Sequence, residues 1–404
     1  MNYINFFFII ILVTLLYYLL LNNTNLLINF NNKLINNKQN HKPNFYYQNS
    51  VGKLNNITKS VLKDLNIKHT PKLEQDWILY IPKNYNYVEL ELVAINPYND
   101  NQLIYAIKGC DSLCSKNQLW FNLKTHYGRK KASSIIPETF NLNDIDDINI
   151  FKKQYPLNNI NQKNNDVFIL KKNIQGKKGL LLINNPEKAL RTGQLNNFKV
   201  IQKYIPNPFT INKRKLNLRL YVVIICYLDK QEWLLFKDGK CIYTNKRYDK
   251  DNSLRGAYLQ DKEYHFTSLN LDINKVYLDE ALPESLKDFK KYLGDNKYQL
   301  LMDNILHILQ QVKNVYKNKL GKLDLLKYNK CFQLFGLDFI MDEHLKPYLL
   351  EFNKGPAMSI KSPKDTKLKY KLILNMFQYI LNYNTTNNNS NNNNNNNNNN
   401  FINV

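Results

Sequence analysis

The stretch over residues 331–356 constrains the fold more than any other part of this 404-residue chain. Two apolar runs, Cys331–Met341 and 348–352, are rich in aromatic and branched residues, which favour strands. The polar segment between them, 342–347, has the composition of a turn. The stretch therefore predicts a β-hairpin.

Three polar side chains interrupt the apolar pattern of this predicted hairpin. Folding it about its turn places Asp338 opposite Glu351, and Asn353 shares a strand face with Glu351 because it lies two residues further on. Two carboxylates and an amide oxygen would then converge, and such hard oxygen ligands suit Mg²⁺ held between a protein and nucleotide phosphates. The alternative is a hairpin whose polar residues face water, and spacing alone does not decide between the two.

The chain carries a formal net charge of +23, nearly all of it from lysine. Such a charge should attract an acidic polypeptide, an anionic lipid or nucleic acid, although compositional bias alone also explains an excess of lysine. Zinc-finger spacing and Gly–aromatic RNA-binding motifs are both missing from the sequence, so nucleic acid is not expected as a partner. The five cysteines include one close pair, Cys110 and Cys114, that no second pair completes into a metal site, which indicates a reducing compartment.

The N-terminus contains an almost purely apolar stretch over residues 3–21. As a helix it would span about 28 Å, close to the thickness of a bilayer core. Lys33 and Lys38 follow it, which favours a single-pass membrane anchor with the rest of the chain in the cytosol. The alternative is a signal peptide or a hydrophobic tail.

Composition divides the chain into five parts. Residues 1–22 are the predicted transmembrane anchor, and 23–70 form an Asn-rich linker. An N-terminal α/β subdomain is predicted over 71–165, and two further subdomains over 166–381. The poly-Asn tail, 382–404, is predicted to be disordered because it offers almost nothing to a core.

Two further segments carry cations where a phosphate could bind. A short strand ends at Lys171 and runs into a loop rich in glycine and lysine, 173–179, which could close over phosphates, although such loops are also common hairpin turns. Further on, Lys215, Asn217 and Arg219 share one face of an apolar strand by its period of two. Burying a cation in the middle of such a strand costs free energy unless the cation has an anionic partner. The alternative is that the edge of the strand lies in water.

These pieces, in this order, resemble the tubulin-tyrosine ligase-like family of ATP-grasp ligases over roughly residues 100–380. The resemblance rests on short motifs that stand in this sequence as Phe-Gln-Leu-Phe-Gly-Leu-Asp at 332–338, Lys-Pro-Tyr-Leu-Leu-Glu-Phe-Asn at 346–353, Lys-Leu-Asn-Leu-Arg at 215–219, Gln-Lys-Tyr-Ile at 202–205, Phe-Ile-Leu-Lys at 168–171 and His-Phe-Thr-Ser at 265–268. It implies an α+β ATP-grasp fold, with the nucleotide held between two subdomains.

The resemblance also implies ATP and Mg²⁺ as cofactors and assigns roles to residues. The metal ligands would be Asp338, Glu351 and Asn353, and the catalytic residues Lys215 and Arg219. The implied nucleotide-binding residues are Lys171, Gln175, Gly176, Lys178, Gly179, Gln202, Lys203, Tyr204, Ile205, Lys215 and Asn217.

The reaction that the resemblance implies is ATP-dependent addition of a free amino acid to a protein or peptide carboxylate through an acyl phosphate. An acidic acceptor is expected, for which a tubulin tail is one candidate, and the membrane is expected as a partner through residues 3–21. The chain departs from the family pattern at Asn217, usually Asp, at Gln333, usually Glu, and at Ile242, where the family has an arginine that grips the acceptor. A membrane-tethered, catalytically degenerate protein that binds an acidic partner is the alternative.

Overall fold

The computed structural model describes residues 45–48, 54–71, 77–82, 95, 102–156, 166–174, 179–226, 230–267, 281–321, 330–386 and 400–404. The apolar stretch over 3–21 and much of the Asn-rich linker lie outside these described residues. So do Gln175, Gly176 and Lys178 of the glycine and lysine loop.

Strands and helices alternate along the described chain. The strands are β1 (Phe45–Gln48), β2 (Lys68–Thr70), β3 (Leu79–Ile81), β4 (Leu103–Ile104), β5 (Thr139–Asn141), β6 (Phe168–Lys171), β7 (Leu180–Ile183), β8 (Val200–Lys203), β9 (Thr210–Ile211), β10 (Arg214–Cys226), β11 (Gln231–Phe236), β12 (Lys240–Tyr243), β13 (Cys331–Met341), β14 (Pro347–Asn353) and β15 (Phe401–Asn403). The helices are α1 (Asn56–Asp64), α2 (Cys110–Cys114), α3 (Lys116–Tyr127), α4 (Arg129–Ile135), α5 (Ile145–Gln154), α6 (Pro186–Leu195), α7 (Lys250–Ser253), α8 (Gly256–Gln260), α9 (Lys262–His265), α10 (Leu286–Leu293), α11 (Asp295–Tyr316) and α12 (Pro363–Thr386).

Two sheets organise these elements. The larger sheet has eleven strands, with the order β15-β11-β10-β13-β4-β3-β1-β2, while β9 and β12 pair with β10 and β14 pairs with β13. The smaller sheet has the order β5-β8-β6-β7. The predicted hairpin over 331–356 is β13 and β14, paired antiparallel, and the predicted mixed α+β class is confirmed.

The second half of strand β10 is apolar on both faces because helices cover the larger sheet on both sides there. Its even-numbered residues from Leu216 to Cys226 pack with helices α10 and α11 in one core. Its odd-numbered residues Tyr221, Val223 and Ile225 pack with helices α1 and α12 in a second core. The odd face therefore has a helical cover only along the second half of the strand.

The first half of that odd face carries Lys215, Asn217 and Arg219, which line a cavity instead of a core. One face of strand β13 also passes from the core to the cavity along its length. Phe332 and Leu334 lie in the second core, whereas Asp338 and Ile340 line the cavity. The part of this face that helix α12 covers thus belongs to the core, and the part beyond the helix lines the cavity. The smaller sheet forms the opposite wall of the cavity.

The predicted single-pass membrane anchor and the membrane-anchored localisation are corrected by the structure. Among the described residues, no helix is long and apolar enough to cross a membrane. The two longest described helices, α11 and α12, are amphipathic, with one side in a core and exposed charges such as Asp303 and Lys367 on the other. The stretch over 3–21, on which the prediction rested, lies outside the described residues.

Both ends of the C-terminal tail form regular secondary structure, in contrast to the disorder predicted for residues 382–404. Helix α12 continues to Thr386, and Phe401–Asn403 forms strand β15, antiparallel to β11 at one end of the larger sheet. Phe401 is buried against Phe236, with ring centroids 5.5 Å apart. The apolar residues that follow the asparagine run explain this pairing, because the polar run itself offers nothing to bury.

Candidate active site

A cavity of about 490 Å³ lies between the smaller sheet and the uncovered face of the larger one. The smaller sheet contributes residues of β6, β7 and β8, and the larger sheet contributes residues of β10, β12, β13 and β14. This volume lies within the range of sites that hold small molecules and cofactors. Strand period explains the lining, because residues two apart on one strand face the same side.

The hairpin brings the three predicted metal ligands together. Asp338 lies opposite Glu351 and Gly336 lies opposite Asn353, so the predicted register is confirmed. An irregularity between Asp338 and Phe339 shifts the pairing, so that Phe339 lies opposite Leu349. The side-chain amide of Asn353 donates a hydrogen bond to Glu351 Oε1 at 3.2 Å.

Arg219 has the anionic partner that a cation in an apolar strand requires. It lies beside Asp338 on the neighbouring strand and donates two hydrogen bonds to the carboxylate, from Nε at 2.5 Å and from Nη2 at 3.0 Å. This fork geometry is the strong form of an arginine–carboxylate pair. Gly336 provides the space, because a Cβ there would lie 3.1 Å from Pro356 Cβ and 3.4 Å from Arg219 Cδ.

Lys116 is a site residue that the sequence analysis missed. It begins helix α3 and forms an ion pair with Glu351, at 3.1 Å between Nζ and Oε2. Burial raises the pKa of Glu351, but the charges of Lys116 and Lys171 outweigh it and hold this pKa well below its ordinary value. In the sequence, Lys116 is one lysine among many and no local pattern distinguishes it.

Lys171 is the buried cation at the end of β6. Burial lowers the pKa of its ammonium group to about 8, although the carboxylates of Glu351 and Asp338 oppose the shift. Of the cations that line the cavity, three lie around its two carboxylates: Lys116, Lys171 and Arg219. This excess of positive charge suits an anionic ligand.

Lys215 is buried and contacts aromatic residues, and no carboxylate among the described residues forms an ion pair with it. Its Nζ donates to the Tyr204 hydroxyl at 2.7 Å and lies 4.3 Å from the centre of that ring. Burial lowers the pKa of Lys215 to about 7. The Tyr204 hydroxyl also lies 3.0 Å from His265 Nδ1, and burial together with the Lys215 charge lowers the pKa of His265 to about 4.

Most of the site residues predicted from the sequence line this cavity. Eleven of them line the cavity: Lys171, Gln202, Lys203, Tyr204, Ile205, Lys215, Asn217, Arg219, Asp338, Glu351 and Asn353. Gly179 immediately precedes Leu180, which also lines it, and a Cβ at Gly179 would lie 2.6 Å from Ile174 Cγ1. The remaining three, Gln175, Gly176 and Lys178, lie outside the described residues.

The cavity has two chemically different ends. One is charged and contains the groups around Asp338 and Glu351 described above. The other is mainly apolar, with Ile169 two residues before Lys171 on β6 and Ile340 two residues after Asp338 on β13. Two more aliphatic residues lie beside the charged groups, since Leu180 is opposite Lys171 and Leu350 precedes Glu351. A ligand with an anionic end and a flat apolar end fits such a site, because each end meets groups of complementary character.

The sequence matches one protein family across most of its length. Residues 94–393 match the tubulin-tyrosine ligase family. A probable tubulin polyglutamylase TTLL9 from Mus musculus is 32% identical over 186 residues, which cover 43% of this chain and 36% of the mouse protein. The tubulin polyglutamylase TTLL5 from Homo sapiens is 26% identical over 286 residues, 66% of this chain and 21% of the human protein.

A probable tubulin polyglutamylase ttll-9 from Caenorhabditis elegans is also similar, at 26% identity over 189 residues, 45% of this chain and 42% of the worm protein. The chain thus spans about a fifth to two fifths of the length of these relatives. The similarity includes the segments that form the cavity, since the family match runs from before β4 to beyond α12.

Proposed function

The chain belongs to the tubulin-tyrosine ligase family, and we propose that it is an ATP-dependent carboxylate–amine ligase of the ATP-grasp fold. It would join an amino acid to a carboxylate of a protein or peptide. The observation that carries this proposal is the cavity with a charged end and an apolar end, lined by residues of both sheets. A nucleoside triphosphate has the same two-part character.

The phosphates of ATP would lie at the charged end. Lys116, Lys171 and Arg219 supply positive charge there, and nucleotide phosphates would neutralise it. The adenine would lie at the apolar end, beside the segment Gln202–Ile205 that leaves the smaller sheet. The glycine and lysine loop with Gln175, Gly176, Lys178 and Gly179 is proposed to cover the phosphates.

The hairpin oxygens fit Mg²⁺ shared with phosphates. Asp338, Glu351 and Asn353 offer two carboxylates and an amide oxygen, and magnesium usually binds through one or two carboxylates together with phosphate oxygens. Within the described residues, no cluster of three or more His, Cys, Asp or Glu side chains could hold a metal unaided, so phosphates would have to complete this site. When bound, Mg²⁺ would neutralise negative charge on the transferred phosphoryl group.

The reaction that we propose has two steps. The acceptor carboxylate takes the γ-phosphoryl group of ATP and releases ADP, and the amine of the incoming amino acid then displaces phosphate to leave an amide. Arg219, fixed by its two bonds to Asp338, would hold the phosphoryl group in line, while Lys215 would add positive charge to the cleft. The two sheets would enclose the reacting groups and limit the access of water to them.

Glutamate and the acidic tail of tubulin are the first substrates to test. The relatives compared above are tubulin polyglutamylases or probable ones by name, and the net charge of +23 suits an acidic acceptor. Ile242, at the position that resembles the family's acceptor-binding arginine, is an aliphatic residue of the cavity lining, so this chain would bind the acceptor carboxylate without that arginine.

The test is incubation of the purified full-length chain with ATP, Mg²⁺, a mixture of amino acids and a glutamate-rich tubulin-tail peptide. We expect release of ADP together with a mass increase of the peptide equal to one or more amino-acid residues. Omission of the peptide should suppress ADP release. Tight ATP binding without ADP release or any mass increase would contradict the proposed ligase activity.

The depressed pKa values of Lys171 and Lys215 predict that ATP binding takes up protons. The pKa of Lys171, about 8, should rise when phosphates bind beside it, because an anion favours the charged ammonium. The pKa of Lys215, about 7, should rise less, because the row of Asn217 separates Lys215 from the charged row. Affinity should therefore fall as pH rises from 7 to 9, by up to about tenfold per pH unit for each proton taken up.

Calorimetry at pH 8 in two buffers of different ionisation enthalpy measures this uptake directly. The variant Lys171→Met should take up fewer protons than the wild type, since one titrating ammonium group has been removed. At pH 6 both lysines are already charged and the uptake should vanish. An affinity that is independent of pH between 6 and 9 would refute the assignment of both lysines to the nucleotide site.

A further inference from the structure

We propose that Asn217 recognises the 6-substituent of the purine base, and that this chain consequently accepts 6-oxopurine nucleoside triphosphates as well as ATP. The inference rests on the proposed function, which places a nucleotide in the cavity. It concerns one specificity-determining side chain and a class of ligand, inosine or guanosine triphosphate, that a carboxylate in the same place would reject.

The position of Asn217 follows from the strand register. Asn217 lies directly between Ile242 on β12 and Ile340 on β13, and all three side chains line the cavity. Two residues further along β10, the next row contains Arg219 and Asp338. The row of Asn217 is therefore uncharged and lies about 7 Å along the strand from the charged row, since each residue advances about 3.4 Å.

This uncharged row suits a base better than a ribose or a phosphate. Ile242 and Ile340 flank the amide with aliphatic surface, and Ile169 and Leu350 continue the apolar lining. A planar base buries its faces against such surface and presents a polar edge for hydrogen bonding. A ribose would leave its hydroxyl groups facing the aliphatic side chains.

The side-chain amide of Asn217 is available to that edge. It is half-buried and makes no side-chain hydrogen bond to any other described residue. Other polar side chains near the apolar end are already engaged: Gln202 donates to Thr139 Oγ1 at 2.8 Å, and Tyr204 bonds with Lys215 and His265. A ligand that fills the cavity removes water from Asn217 and must replace the lost hydrogen bonds.

An amide and a carboxylate recognise different bases. The 6-amino group of adenine donates a hydrogen bond, and a carboxylate or the oxygen of an amide can accept it. The 6-oxo group of hypoxanthine or guanine is an acceptor, which the NH₂ of Asn217 can satisfy after rotation of the amide. A carboxylate would oppose that oxo group with a second acceptor, and both groups would lose hydration without gaining a bond.

The test compares the dissociation constants of ATP and inosine triphosphate for the full-length chain and for Asn217→Asp. We expect the wild type to bind both nucleotides measurably. The aspartate variant should prefer ATP over inosine triphosphate by about 10- to 100-fold more than the wild type does. Asn149→Asp, which adds the same charge on the exposed face of helix α5, is the control and should leave the ratio unchanged.

The outcomes separate this inference from the proposed function. Equal weakening of both nucleotides by Asn217→Asp would overturn the inference and assign Asn217 to the ribose or the phosphates, while nucleotide binding itself would stand. A ratio that stays at the wild-type value would overturn it as well. Failure of the wild type to bind either nucleotide would instead overturn the proposed function.

Discussion

Replacing Glu351 by glutamine should lower the rate of ADP release in the presence of Mg²⁺ by about 100-fold or more. Glu351 is one of the two carboxylates proposed to hold the metal, and loss of a metal ligand removes several kcal/mol of charge stabilisation from the transition state. Each 1.4 kcal/mol corresponds to about a tenfold change in rate. The variant keeps the size of the side chain and removes only its charge.

The same variant should bind ATP without Mg²⁺ as tightly as the wild type or more tightly. The carboxylate of Glu351 is paired with Lys116 at 3.1 Å and repels phosphates, so its removal frees a cation for them. Separate measurements of ATP affinity with and without Mg²⁺ therefore distinguish a metal ligand from a residue that merely supports the fold.

Glu343→Gln is the matched control, since it makes the same change in the exposed turn of the same hairpin, where the side chain is 54% exposed. It should leave both turnover and affinity within about twofold of the wild type. Full turnover in Glu351→Gln would contradict the assignment of this carboxylate to the metal site.

The part of the site that could be predicted from sequence is the part that local periodicity determines. Strand period and a short turn are sufficient to place Asp338 opposite Glu351, because both lie in one hairpin of 23 residues from Cys331 to Asn353. The same period places Lys215, Asn217 and Arg219 on one face. Those predictions need no knowledge of the rest of the chain.

Contacts between distant segments could not be predicted in this way. Lys116 pairs with Glu351 across 235 positions of sequence, and its place at the start of helix α3 depends on how the N-terminal region packs on the larger sheet. The bond between Lys215 and Tyr204 likewise joins the larger sheet to the segment that follows β8 of the smaller sheet, and no local pattern specifies how the two sheets are placed. A lysine-rich sequence offers many candidates for each such position.

The sequence also does not predict where along β10 the odd-numbered face passes from the core to the cavity. The run from Leu216 to Cys226 predicts a buried strand but does not show which face is buried at which end. That is decided by helix α12, which covers the odd face from Tyr221 onward. The contacts between the first turn of this helix and the sheet therefore determine where the cavity begins.

A buried cluster of three charges makes that attachment. Lys240 on β12 and Lys369 on α12 both bind the carboxylate of Asp365, at 2.9 and 2.8 Å, and all three side chains are less than 10% exposed. Lys369 also donates to the carbonyl oxygen of Ser359, at 2.7 Å. Lys240 lies directly opposite Arg219 on the neighbouring strand, so the cluster borders the charged row of the cleft.

Asp365→Ala should lower the free energy of unfolding by about 3–5 kcal/mol, because it leaves two buried ammonium groups without their counter-charge. Chemical denaturation of the purified protein measures the change. Asp295→Ala, which breaks an exposed ion pair with Lys290, is the comparison and should cost less than about 1 kcal/mol. Equal effects of the two substitutions would show that Asp365 is not the buried counter-charge.

The same cluster predicts how stability depends on acid. Burial raises the pKa of Asp365, but its hydrogen bonds from Lys369 and Lys240 outweigh burial and hold the pKa below its ordinary value. A carboxyl group whose pKa is lower in the folded state contributes stability above its unfolded pKa of about 4, and this contribution is lost as the pH falls further. The free energy of unfolding of the wild type should therefore decline below about pH 4. The decline should be smaller in Asp365→Ala, because the contribution of this carboxyl group is missing. Because the cluster fixes the first turn of α12 beside Arg219, the variant should also weaken ATP binding under conditions in which it remains folded.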